Sequence, residues 1–276
     1  MSLGCLTDFD AEFVASKISD FIRSKVGGRR AVVGLSGGID SAVTATLSVR
    51  GLGREKVLAL VMPDSAATPD EDVKDAKAMA ESLGIRYRTI DITQASKIIT
   101  ELASAGCESK DKVAEGNVRA RLRMIILYYI ANSEGRIVIG SGDRSELMIG
   151  YFTKYGDGGV DLLPLGCLYK TQVRELAKHL GIPRKIIDKE SSPRLWEGQT
   201  AVSELGISYE DVDLILYRLL DLRMRRDELA RDLGPGYTAK VEKVAWLVRE
   251  SAHKRRIPPV PKFTLLQPVR SGMISG

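Results

Sequence analysis

Ala31-Val32-Val33-Gly34-Leu35-Ser36-Gly37-Gly38-Ile39-Asp40-Ser41 decides how the chain is read. The first five residues form a short, mostly apolar run with strand character, and Ala42 to Val49 carries a helical pattern. Strand, glycine-rich turn and helix in series put the turn where α/β sheets bind ligands, at a strand's carboxyl end beside a helix N-terminus. Adjacent Gly37 and Gly38 let the backbone approach oxygen atoms closely. Their N–H groups, with the Ser36 and Ser41 hydroxyls, can form an anion cradle. The turn lacks the lysine of the ordinary P-loop and offers Asp40 instead. A carboxylate beside phosphates repels them unless a cation lies between. Magnesium, held by one or two carboxylates plus phosphate oxygens, fits that need. The plainer alternative is a common loop string in which Asp40 only complements the helix dipole.

Outward from this turn, short apolar runs alternate with amphipathic segments. Strands are expected at 31–35, 57–62, 86–91 and 136–141. In the first helix Val14, Ile18, Phe21 and Ile22 share a face. A second opens with Thr68 as cap, Pro69 at the first position and Glu71 completing a capping box, and closes at Gly84. Further helices are expected at about 111–133, at 170–180 before Gly181, from Ser208 with Asp211, and at 238–252. Strand runs disappear after about 205. The fold class is therefore α/β, a parallel sheet flanked by helices with a helical C-terminal portion, and residues 1–276 read as a single domain. The apolar run 122–130 suits either the core or a subunit interface.

With 276 residues, 44% hydrophobic and 28% charged, the composition is that of an ordinary soluble protein. No apolar run approaches the roughly 18–20 residues of a membrane helix, and no signal region opens the chain, so cytoplasmic residence is expected. A net charge of +5 suits nucleotide binding but is too diffuse to argue for nucleic acid. Cys5, Cys107 and Cys167 form no CxxC pair and are expected to be buried or partly buried thiols.

A second constellation follows the fourth strand, Gly140-Ser141-Gly142-Asp143-Arg144-Ser145-Glu146, continuing into Tyr151-Phe152-Thr153-Lys154-Tyr155-Gly156-Asp157-Gly158-Gly159-Val160-Asp161. A buried structural loop rarely carries so much charge. A solvated loop with Gly-Asp turn chemistry is the bland alternative.

The strand–SGGxDS–helix string resembles the pyrophosphate-binding loop of the ATP pyrophosphatases. YFTKYGDGGVD is similar to a signature of the NAD synthetase family, as are GNVRARLRM (116–124), LYKTQVRELA (168–177), LWEGQT (195–200), ELGISYE (204–210) and HKR (253–255). These matches run in order over most of the chain. The resemblance implies an adenine nucleotide alpha-hydrolase-like, Rossmann-like fold. It implies adenylation of the nicotinate carboxylate of deamido-NAD by ATP with release of pyrophosphate, then amidation by ammonia. It assigns Gly34, Leu35, Ser36, Gly37, Gly38, Ile39, Asp40, Ser41, Ser141, Lys170 and Ser192 to ATP, and Asp40 with Glu146 to Mg2+. Arg121, Lys154, Asp161, His253 and Lys254 would hold deamido-NAD. Asp157 would guide ammonium in and help remove its proton, joining Lys170 and Asp40 as catalytic residues. A homodimer is implied, with sites near the interface.

Beside these roles stand plainer ones. Arg119, Arg121 and Arg123 lie two apart on a helix, so one can face a ligand while its neighbours face water. His253 begins a basic run that equally suits a solvated tail, and Trp196 suits a ring stack or a core position. His179 reads as structural. Where the family usually continues with acids after LWEGQT, this chain has Ala201-Val202-Ser203 and keeps only Glu204, and Pro193-Arg194 is also unusual. About thirty residues precede the first strand, too few for a glutaminase domain, so free ammonia is the expected nitrogen source. Two other readings compete: a related enzyme acting on a tRNA base, and a non-catalytic nucleotide sensor.

Overall fold

The computed structural model describes residues 4–106 and 111–261. Four parallel strands form the sheet: β1 Arg30–Gly34, β2 Val57–Val61, β3 Arg86–Thr89 and β4 Arg136–Ile139, in the order β3-β2-β1-β4. Ala31 lies opposite Val57 on one side and Ile137 on the other. The chain steps from β1 outward to β3, then returns to β1's free side to lay down β4. That reversal opens a crevice between the carboxyl ends of β1 and β4. The glycine-rich turns after Gly34 and Ile139 both empty into it. The last two strands end two residues earlier than expected because Ile90-Asp91 and Gly140-Ser141 already belong to the rim.

Ten of the helices among the described residues are, in chain order, α1 Ala11–Val26, α2 Ile39–Leu52, α3 Asp70–Ser82, α4 Thr93–Ser104, α5 Lys112–Glu134, α6 Arg144–Ile149, α7 Lys170–His179, α8 Tyr209–Leu216, α9 Arg226–Leu233 and α10 Thr238–Glu250. One apolar cluster joins a sheet face to α1, α2 and α7, and a second joins the other face to α5. The C-terminal helices enclose a third around Val212, Ile215, Leu216, Val241 and Val244.

Local chemistry explains the boundaries and the misreadings. Asp10 caps α1 by accepting from the Phe13 N–H at 2.9 Å. Ile18 and Ile22 face the core as expected, but Phe21 is 40% exposed: the inward stripe runs Ala15-Ile18-Ile22-Val26. The capping box at Thr68 does not form. Pro69 holds the cap position of α3, and Thr68 Oγ1 accepts from the Asp64 N–H at 3.1 Å. Asp70, Glu71 and Asp72 instead complement the helix dipole. Gly84 takes φ +63° after α3, and Ser208 caps α8 by accepting from the Asp211 N–H, both as expected. Cys5 and Cys167 are exposed, not buried, and Cys107 lies outside the described residues.

The run 122–130 splits in two. Leu122, Leu127 and Ile130 pack inward, while Ile125 and Tyr129 are 54% and 72% exposed. On α4, which packs against α5, Ile98, Ile99 and Leu102 are exposed too. No helix among the described residues is long and apolar enough to cross a membrane.

Candidate functional site

The turn after β1 is closed by its own hydroxyls. Ser41 Oγ donates to the Gly38 carbonyl at 2.9 Å and accepts from the Ser36 N–H at 3.2 Å; the two hydroxyls lie 3.1 Å apart. Gly37 sits at φ +79°, pressed so hard on the start of α3 that a Cβ would fall 2.3 Å from the Asp72 carbonyl oxygen. Only glycine fits both the left-handed backbone and that contact. The loop lines a cavity of about 510 Å³, apart from Gly37, together with Ser141, Glu146, Asp157, Ser192 and Lys254.

One corner of this cavity is built around Lys170, the first residue of α7. Its Nζ lies 2.7 Å from Asp40, 2.8 Å from Asp143 and 2.8 Å from Glu146, and its side chain is wholly buried. Asp143 caps α6 and shares a capping box with Glu146, which fixes both carboxylates beside the ammonium. Burial pushes the carboxyls of Asp143 and Glu146 up. Burial opposes the charge of Lys170 as well, but its three carboxylate neighbours outweigh that and hold it protonated. Lys170 thus sits behind the acids, not at the cavity wall. Asp143 is a member of the corner that the sequence reading left without a role; its D-x-x-E cap spacing before Glu146 was the available signal.

A buttress lies behind this corner. Asp213 of α8 accepts from Ser145 Oγ and from the Thr171 N–H, the latter at 2.8 Å, and Ser145 Oγ in turn accepts from the Lys170 N–H at 2.9 Å. Burial pushes the Asp213 carboxyl up to about 7. The Tyr209 ring packs 5.1 Å from Lys170 Nζ.

At the other end, Asp157 is open to the cavity yet lies deep in the protein. That enclosure pushes its carboxyl up, against the Thr153 N–H bond and the charges of Lys254 and Arg123. Lys254 Nζ donates to the Gly150 and Phe152 carbonyls at 2.7 and 2.8 Å, tying the 150s loop to the C-terminal end of the described chain.

The arginines of α5 reverse the expected pattern. Arg119 pairs with the fully buried Asp64 at 2.8 Å, and Arg123 turns to the cavity, its Nε on the Met62 carbonyl at 3.0 Å. Arg121 is the exposed one, reaching the Lys154 carbonyl at 3.4 Å. Asp161 accepts from Tyr128 and the Val138 N–H, and His253 is exposed. Arg121, Lys154, Asp161 and His253 therefore lie outside the cavity. His179 meets Glu12 on the surface at 3.0 Å, away from the cavity.

The segment 189–200 roofs the cavity, with Trp196 and Arg194 among its lining. Ser192 Oγ donates to the Gln199 carbonyl at 2.6 Å. Gln199 reaches Glu204, which also takes the Tyr151 hydroxyl. The one acid kept after the LWEGQT string is thus the one that joins roof to 150s loop.

Chemically, three carboxylates face one ammonium, leaving an oxygen-rich corner with excess negative charge beside an N–H cradle. No group of three or more His, Cys, Asp or Glu side chains among the described residues is arranged to hold a metal alone. Magnesium shared between two carboxylates and a polyphosphate needs no such group, and one oxygen of Asp40 is buried without a hydrogen-bond donor. The donor set fits.

The NAD synthase family profile matches residues 14–258. An NH(3)-dependent NAD(+) synthetase of Hyperthermus butylicus is 54% identical over 264 residues, 95% of this chain and 94% of that protein. The solved structure of an NMN synthetase from Francisella tularensis is 36% identical with a TM-score of 0.78, covering 93% of this chain and all of that one. The structure of an NH3-dependent NAD synthetase from Campylobacter jejuni is 30% identical with a TM-score of 0.74, covering 92% and 100%.

Proposed function

We propose, because the chain belongs to the NAD synthase family, that it is an ammonia-dependent NAD+ synthetase, an ATP-consuming carbon–nitrogen ligase. The observation that carries this is the placement of the lysine-free cradle, the acid-ringed Lys170 and the enclosed Asp157 around one cavity. A carboxylate does not react with ammonia at neutral pH, because its oxygen leaves poorly. The nicotinate oxygen of deamido-NAD attacks the α-phosphorus of ATP, and the bond to the β-phosphate oxygen breaks. Ammonia then adds to the acyl carbon, AMP leaves, and NAD remains.

In this reading loop 34–41 holds the departing pyrophosphate through N–H groups and hydroxyls. Asp40 and Glu146 hold Mg2+, which supplies positive charge to the phosphates. Lys170, fixed behind them, adds charge where pyrophosphate leaves. Ser141 and Ser192 contact ATP from the rim and the roof. Asp157, its carboxyl raised by enclosure, sits where an ammonium ion would surrender its proton. Lys254 secures the floor beneath the nicotinate.

The dinucleotide's far half meets Arg121, Lys154, Asp161 and His253 at the surface. Arg121, Ile125 and Tyr129 fall four apart on one outward stripe of α5. A second copy of the chain packed on that apolar stripe would complete the acceptor site, which supports a homodimer. The protein acts as one domain, in the cytoplasm.

The test is incubation with ATP, Mg2+, ammonium and deamido-NAD. NAD, AMP and pyrophosphate are the expected products; ADP with orthophosphate overturns the reading. Glutamine replacing ammonium in ammonia-free buffer should give no NAD. A mononucleotide acceptor is the second reading, favoured by the likeness to an NMN synthetase. Faster amidation of nicotinate mononucleotide than of deamido-NAD would establish it.

A further inference from the structure

We infer that Lys189 is a positioning residue for the phosphate cradle, aiming the Gly38 N–H at the polyphosphate by holding the Gly37 carbonyl from the cavity's roof. The inference rests on the reading of loop 34–41 as the triphosphate site. Lys189 Nζ donates to the Gly37 carbonyl at 3.0 Å, to Asp72 at 2.8 Å and to Asp75 at 2.6 Å. Its side chain is only 18% exposed, and both acids are nearly closed to solvent. Asp72 and Asp75 belong to α3, so the ammonium is fixed against the helix whose first turn the loop already touches at Gly37.

The geometry follows from the peptide unit. In a planar trans peptide the carbonyl of one residue and the N–H of the next point in opposite directions. Drawing the Gly37 carbonyl toward Lys189 therefore turns the Gly38 N–H away from it, toward the cradle. There it donates to Ser36 Oγ at 3.3 Å. A cation on the carbonyl oxygen also polarises the peptide and strengthens the N–H as a donor. Gly37 makes this control necessary. At φ +79° it is a hinge with no side chain of its own to fix the plane. Lys185 supplies the contrast. Its Nζ lies 2.5 Å from Asp75, adding the same charge to one of the same acids, but no bond joins it to the loop and it is 57% exposed.

The experiment titrates inorganic pyrophosphate, with Mg2+, into full-length wild type, Lys189→Met and Lys185→Met by calorimetry, beside steady-state KM values for ATP and acceptor. Lys189→Met should weaken pyrophosphate and raise the KM for ATP by about tenfold, one strong hydrogen bond's worth. The acceptor KM should stay within about twofold, and Lys185→Met should match wild type within about twofold. Unchanged pyrophosphate affinity in Lys189→Met overturns the inference. So does an equal loss in Lys185→Met, which would reduce it to net charge. Wild type that binds no pyrophosphate sinks the functional reading itself, a different result from either. Lys189→Gln, too short to reach Gly37, is read by the same rule if the methionine variant does not melt cooperatively.

Discussion

The phosphate side and the acceptor side of the cavity are built differently. On the phosphate side every group comes from a strand end or a helix start. Asp40 lies in the first turn of α2, Asp143 and Glu146 open α6, and Lys170 opens α7. α2 and α7 share the main core and α6 packs into the cluster of the C-terminal helices, so the geometry is fixed before any ligand arrives. On the acceptor side Arg121, Lys154, Asp161 and His253 lie outside the cavity, while Asp157 and Lys254 line it. Chemistry that must stabilise charge is preorganised within one chain. In the proposed reading, recognition of the dinucleotide's far half falls to residues outside the cavity.

The contrast breaks most sharply at Lys170. Lys170→Met leaves Asp40, Asp143 and Glu146 without their counter-ion. We expect a loss of about 3–5 kcal/mol in stability by urea unfolding, and adenylation slowed by at least about a thousandfold. A mild effect would mean the acids, not the lysine, organise the corner. Asp157→Asn should slow amide formation about a hundredfold while sparing adenylation; single-turnover kinetics with both steps equally slowed would move Asp157 to a binding role. Ile125→Asp, on the outward stripe of α5, should yield a monomer by sedimentation. It should raise the KM for deamido-NAD about tenfold and leave that for ATP unchanged; a monomer with wild-type kinetics would detach the acceptor site from any interface.

Asp213→Asn should alter turnover least. The Asp213 carboxyl stands at about 7 in the fold against an ordinary 3.8, so the folded chain holds that proton more tightly than the unfolded chain. Its stabilising contribution is complete below the ordinary value and is lost as pH rises to about 7. Between about pH 5 and 8, wild type should therefore lose on the order of 2 kcal/mol relative to the asparagine variant. Parallel pH profiles would show that the carboxyl is ionised in the fold throughout.

The sequence made the phosphate side legible because its signals are local. β1, the glycine pair and the first turn of α2 follow one another without interruption, and strand, turn and helix chemistry each leave a mark at short range. Glu146 followed from the matched string, but Asp143 did not, since a cap residue and a charge partner look identical in one dimension. The arginines of α5 show the limit from the other direction. Spacing by two established that Arg119, Arg121 and Arg123 diverge. Which of them turned inward depended on Asp64 and the Met62 carbonyl, more than fifty residues away. Lys189 was silent for the same reason: its three partners come from α2's approach and from α3.

The short turn Ser251–Arg255 reaches back about a hundred residues to Leu147, Met148, Gly150 and Phe152, meeting their carbonyls through Arg255 and Lys254. Gly150 lets it in, since a Cβ there would fall 2.1 Å from that of Ser251. The two ends of one cavity therefore differ in reach along the chain: the bend at 36–41 is closed by its own hydroxyls, whereas the carbonyls of the 147–152 stretch meet donors about a hundred residues downstream.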